Sequence, residues 1–136
     1  MTGPVQIARA SPTPASTATV NRLHDLGNGV IVVYPTPGRG GEGIARDVLQ
    51  ALGKRFCDRT PRDPRRLMAL AGIWLRAECA RELVIAAADR RPAADWSLLR
   101  DLAGGAGARL TLVVERCASS DHLAELGDDV RELTPV

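Results

Sequence analysis

Lysine is almost missing from this chain. Of its 18 basic residues only Lys54 is a lysine; the rest are arginines. Any lysine-dependent chemistry therefore has a single side chain to draw on. Aromatics are nearly as scarce, with Tyr34, Phe56, Trp74 and Trp96 the whole set. That argues against nucleic-acid modules that stack bases on exposed rings. The cysteines, Cys57, Cys79 and Cys117, are odd in number and far apart, without a C-x-x-C pair. Neither a disulfide framework nor a zinc clip is expected. His24 and His122 are isolated, so no metal site is expected either. No apolar run approaches the roughly 20 residues that span a bilayer, and the N-terminus has no signal-peptide core. The expectation is a cytoplasmic protein without membrane contact. A net charge of +2 gives a weak overall field and says little about partners.

What is present is one domain's worth of chain: 136 residues, 45% hydrophobic and 25% charged. Residues 1–19 read as a disordered, low-complexity leader. Ser11-Pro12-Thr13-Pro14-Ala15-Ser16-Thr17 has little to bury and two prolines that resist helix. Residues 20–136 read as a single α/β domain.

Val30-Ile31-Val32-Val33-Tyr34 has the unbroken apolar character of a strand buried on both faces. Ile44, Val48, Leu49 and Leu52 then recur at helical spacing up to Gly53, a C-terminal stop. Phe56-Cys57-Asp58 reads as a short edge strand. Asp63-Pro64 reads as an N-cap and first-turn proline, opening a stripe of Leu67, Leu70, Ala71, Trp74, Leu75 and Cys79. On that stripe Trp74 and Cys79 are expected in the core, as is Trp96 on the next helix.

Leu83 to Ala87 and Leu110 to Val114 are further strands. Asp95 caps the helix between them, Ser120 a short helix through Leu126, and Val130 to Leu133 adds a last strand. Strands alternating with helices predict a three-layer sandwich with a parallel sheet of four to five strands. Ligands of such sheets sit beyond the carboxyl ends of the strands.

One of those ends carries Pro35-Thr36-Pro37-Gly38-Arg39-Gly40-Gly41-Glu42-Gly43. A strand, a glycine loop and a helix N-terminus form the context of a phosphate cradle. The candidate loop is Gly38, Arg39, Gly40, Gly41, Glu42 and Gly43. Against G-x-x-x-x-G-K-[ST] it is degenerate. With Gly38 and Gly43 as the glycines, Ile44-Ala45 replace the Lys-Ser/Thr pair. With Pro37-Gly38-Arg39-Gly40 as the P-G-x-G segment, Gly41-Glu42 replace it. Neither register supplies the phosphate lysine or the magnesium hydroxyl. Lys54 stands at the far end of the helix, more than roughly 15 Å away at about 1.5 Å per residue.

With these residues in view, the stretch from about Leu26 to Val114 resembles the core of an AAA+ type P-loop ATPase. It is nearest to bacterial helper ATPases of transposition. The resemblance rests on Val30 to Tyr34, Pro37-Gly38-Arg39-Gly40, Ile44-Ala45-Arg46 and Ala51-Leu52-Gly53. Glu82 to Arg90 is similar to a Walker B strand, but the family's Asp and Glu fall on Ala86 and Ala87. Ala88, Asp89 and Arg90 keep the pattern. The strand Leu110 to Val114 would be the sensor strand, its polar position near Glu115 or Arg116. No lid domain is expected after this core.

The resemblance implies a strand order of last, first, fourth, third, second, with the Val30 strand as the first. Adjacent Val30 and Leu83 strands would exclude the AAA+ reading.

Lys54, Arg55, Arg59, Arg62, Arg65 and Arg66 form a basic cluster that could meet nucleic acid or a partner. A solvated arginine-rich face is the simpler explanation. The acidic stretch Asp121 to Glu132 could complement that cluster on a partner or in a homo-oligomer.

Three functions follow. The first is a non-catalytic pseudo-ATPase domain acting as a protein-interaction or regulatory module, without catalytic residues or cofactor. The second is a protein that still binds nucleotide (ATP or ADP) or phosphate through the glycine loop without its lysine. The third is a DNA-associated accessory factor using the cluster at 54–66.

Overall fold

The β-branched run Val30–Val33 forms a strand, and it joins four further segments in one parallel sheet. The computed structural model describes residues 5–10, 18, 20–36, 40–54, 63–86, 93–115 and 129–132. In chain order these hold β1 (Val5–Ala10), β2 (Val30–Val33), α1 (Gly40–Ala51), α2 (Pro64–Ala77), β3 (Glu82–Ile85), α3 (Ala93–Gly105), β4 (Arg109–Glu115) and β5 (Asp129–Glu132). The sheet order is β2-β3-β4-β1-β5. The expected strand at Phe56 to Asp58 and the helix from Ser120 lie outside the described residues.

Alternation along the strands sorts the core into two layers. Ile31 and Val33, Leu83 and Ile85, and Leu110, Leu112 and Val114 pack with the three helices. The opposite face carries smaller groups: Val32, Val84, Ala86, Val113 and Ala8, met by Val20. Helix α1 contributes Ile44, Ala45, Val48 and Leu49 to the larger layer. Helix α3 adds Trp96, Leu99 and Ala103. Helix α2 adds Leu67, Ala71 and Leu75 at intervals of four residues, one face of the helix. As the sequence suggests, Asp63 caps α2, its carboxylate accepting from the Arg65 N–H at 3.1 Å, with Pro64 in the first turn. Gly53 follows α1 in the left-handed conformation.

Several expectations need correction. Residues 5–10 belong to a strand, not to a disordered leader: β1 pairs with β4 on one side and β5 on the other. Composition missed it because short strands next to low-complexity sequence are stabilised largely by ladders with two neighbours, which composition does not register.

The strand order also differs from expectation. β2 lies beside β3, with Val32 opposite Val84. Among the described strands β2 therefore stands at the edge, which removes the register that put the Val30 strand first. The place between β4 and β5 belongs to β1.

Cys79 is exposed rather than core. Helix α2 ends at Ala77, and Cys79 turns to φ 55°, so the helical period breaks before reaching it. Asp95 lies inside the first turn of α3, which begins at Ala93, and is buried there.

Candidate functional site

The carboxyl ends of β2 and β3 converge where the glycine loop was expected to bind phosphate. The Ala86 N–H donates to the Val33 carbonyl at 2.9 Å, joining the two ends. Helix α1 begins at Gly40, so Gly40, Gly41, Glu42 and Gly43 form its first turn rather than a loop before it. Gly38 and Arg39 lie outside the described residues.

Thr36, just after β2, is held by Asp47 from the second turn of α1. The Asp47 carboxylate accepts from the Thr36 N–H at 2.6 Å and from its hydroxyl at 2.7 Å. Asp47 is largely buried. A backbone donor that a phosphate cradle would aim at its anion is thus satisfied by the protein's own carboxylate. Sequence reasoning missed Asp47. Its only signal was a lone acid on the apolar stripe of a helix, three residues after Ile44 and one before Val48.

Ala86, at the magnesium-Asp position of the resembled Walker B strand, is buried on the smaller-layer face among Val32, Val84 and Val113. Its methyl group completes an apolar layer. A carboxylate placed there would be desolvated and costly without a cation. Ala87 and Asp89 lie outside the described residues, as does Arg116.

The exposed edge of β2 is covered by the segment before it. The Val32 N–H donates to His24 Nδ1 at 3.0 Å, and Asp25 and Val30 exchange backbone hydrogen bonds at 2.8 and 2.9 Å. Blocking an edge this way limits strand addition by another chain. It also gives His24 a structural role. Because Nδ1 is the acceptor, the neutral ring carries its proton on Nε2. A cavity of about 350 Å³ beside this edge is lined by His24, Asn21, Tyr34 and Gln50. Desolvation raises the pKa of the Tyr34 phenol.

The basic cluster is not one surface of equivalent charges. Lys54 Nζ lies 2.9 Å from Glu78 Oε1 and 3.8 Å from the centre of the Trp74 ring. The lone lysine ties the end of α1 to the end of α2. Trp74 is accordingly only partly buried, unlike Trp96, which is in the core. Replacing Lys54 with methionine keeps the stem and removes the charge. The expected loss is about 1 kcal/mol in urea unfolding, from a partly exposed ion pair and a cation–π contact. The loss should shrink at high salt for the ion-pair part. Arg65 and Arg66 are exposed in the first turn of α2, whereas Arg55, Arg59 and Arg62 lie outside the described residues.

Among the described residues no group of three His, Cys, Asp or Glu side chains is placed to hold a metal ion. Also among them, no helix is long and apolar enough to cross a membrane. A scan against models of known protein families finds no match. A search of curated proteins finds no match either. The site is therefore characterised by its own geometry: a β2–α1 connection closed by Asp47, next to a strand end closed by Ala86.

Proposed function

We propose that this chain is a non-catalytic, P-loop NTPase-like domain working as a protein-interaction or regulatory module. The observation that carries this reading is the strand order. Read from the other edge, the sheet runs β5, β1, β4, β3, β2. The register that counted the Val30 strand first is excluded; counted instead from Val5–Ala10, the order is last, first, fourth, third, second, the order of a P-loop core. The third and fourth strands keep their Walker B-like and sensor-like positions.

In this register the phosphate-loop position follows β1, not β2. The sequence there is Ala10-Ser11-Pro12-Thr13-Pro14-Ala15-Ser16-Thr17. Set on G-x-x-x-x-G-K-[ST], Ala10 and Ala15 take the glycine positions and Ser16 the lysine position. Only Thr17 fits. Pro12 and Pro14 have no N–H to donate, in a loop that works by offering N–H groups to phosphate. Together with Ala86 in place of a carboxylate, this supports a core that has the outline of a nucleotide site without its chemistry. Gly40, Gly41 and Gly43 are then simply the first turn of α1.

The nucleic-acid reading is weakened, because the Lys54 charge is engaged by Glu78. A protein partner or a second copy is the better match to a module of this kind.

Titration calorimetry with ATP and with ADP, each with and without magnesium, tests the reading. The expected result is no binding up to about 1 mM, the concentration where binding free energy is only about −4 kcal/mol. Micromolar binding of either nucleotide overturns it.

A further inference from the structure

We infer that the groove between α2 and α3 is a docking site for an amphipathic helix with acidic flanks, supplied by another protein. The groove is an open cavity of about 600 Å³. Its floor is Met68, Gly72 and the buried Leu102, and its apolar rims are Ile73 and Leu98. Ile73 is 53% exposed and Leu98 39%, so two large aliphatic side chains face water on either side of an apolar trough. Solvent-facing aliphatic groups around a concave surface are a hallmark of protein contact sites.

Gly72 opens the trough. A Cβ there would come only within 3.6 Å of Leu102 Cδ1, so no close helix crossing demands glycine at this position. What its absent side chain provides is depth. Met68 alongside it has the unbranched, adaptable shape that suits a surface accepting a partner.

The charge identifies the occupant. Arg65 and Arg76 both line the groove, near opposite ends of α2. Eleven residues separate them, about 16 Å along the axis at about 1.5 Å per residue. That is three turns, enough to bracket the roughly 10 Å over which a helix presents anchors at i, i+4 and i+7. Helix α2 carries Arg65, Arg66 and Arg76 and no acidic residue. Among the described residues Asp101 on α3 is the one acidic group lining the groove. An occupant with carboxylates flanking its apolar stripe would place them against the two terminal arginines, whereas a basic helix would be repelled. The inference rests on groove shape and charge alone, and it stands or falls separately from the P-loop reading.

The test is selection from a displayed library of helix-forming peptides about four turns long, about 1.5 Å per residue. Leucine occupies i, i+4 and i+7, and the flanking positions vary among Asp, Glu, Lys, Arg and Gln. The full chain is the target, with the Ile73→Glu chain for counter-selection. Enriched peptides are expected to be acidic at the flanks. Their affinity, by fluorescence anisotropy, should fall at least tenfold with Arg65→Glu plus Arg76→Glu, and with Ile73→Glu. Ile73 and both arginines are exposed, so these chains should melt like the wild type, which a thermal scan checks. A Leu98→Glu chain repeats the measurement from the opposite rim. Failure to enrich any peptide overturns the inference, as does enrichment of basic or uncharged flanks. So does a dimer, seen by sedimentation, that Ile73→Glu dissolves, because a second copy would then be the occupant.

Discussion

Replacing Gly29 with alanine is expected to destabilise the fold by about 4 kcal/mol, combining backbone strain with steric overlap. Gly29 sits at φ 74°, where a Cβ costs about 1–2 kcal/mol. The larger part is contact. An added Cβ would lie 2.6 Å from the Cys79 carbonyl oxygen and 3.0 Å from the Arg81 nitrogen. Both neighbours are backbone, so relief requires moving the entrance to β3. The Gly29 carbonyl accepts from the Arg81 and Glu82 N–H groups at 2.8 and 3.1 Å, and such a shift would strain those bonds too.

Two control variants separate the causes. Gly29→Asn relieves part of the φ penalty and keeps the overlap, so most of the loss should remain. Gly53→Ala has the same conformational problem at φ 76° with nothing within 4 Å. It should cost only about 1–2 kcal/mol. Urea unfolding of the three chains gives the comparison. A loss for Gly29→Ala no larger than for Gly53→Ala would falsify the steric account.

The second large effect is expected at Asp47. Its carboxylate receives both the N–H and the hydroxyl of Thr36. Hydrogen bonds to a charged acceptor contribute about 1.5–3 kcal/mol each at most, and Thr36 is exposed enough for water to replace part of them. Asp47→Ala should therefore lose about 2–3 kcal/mol in total. The Thr36 amide should also exchange its hydrogen faster, because the connection from β2 to α1 loses its tie. Thr36→Val removes only the hydroxyl and should cost less. In the double variant the two losses should not add, since they share one contact. Additive losses, or unchanged Thr36 exchange in Asp47→Ala, would show that Asp47 does not hold this connection.

Much of the architecture was legible from local signals. The runs Val30 to Val33, Leu83 to Ile85 and Leu110 to Val114 are strands because branched and aliphatic side chains on both faces favour burial in a parallel sheet. Asp63-Pro64 opens a helix because the aspartate accepts from the free Arg65 N–H and proline in the first turn has no N–H to leave unsatisfied. These features depend on neighbours in the chain. Strand order does not. Gly38 to Gly43 looked like a phosphate loop because the motif records a strand, a turn and a helix but not the strand's place in the sheet. The pairing of β2 with β3 took the Val30 strand out of the first place that reading required. Cys79 followed the helical period of its stripe on paper and left it in space, because the helix ended two residues earlier.

By itself, the sequence determined that the chain has one lysine, that this lysine falls in neither glycine-loop register, and that the Leu83 run ends in Ala86-Ala87. Those are statements of composition and spacing, and folding cannot alter them. Only the tertiary structure decided where the lone lysine goes and which strand stands where. Lys54 is drawn to Glu78 and Trp74, 24 and 20 positions away, because the ends of α1 and α2 meet there. Val5–Ala10 becomes an inner strand because hydrogen bonds to β4 and β5, 99 or more residues further along, satisfy both of its edges. Pairings of that range leave no periodic trace in either partner: each strand carries the apolar pattern for burial, but the choice of neighbour is made by the sheet as a whole.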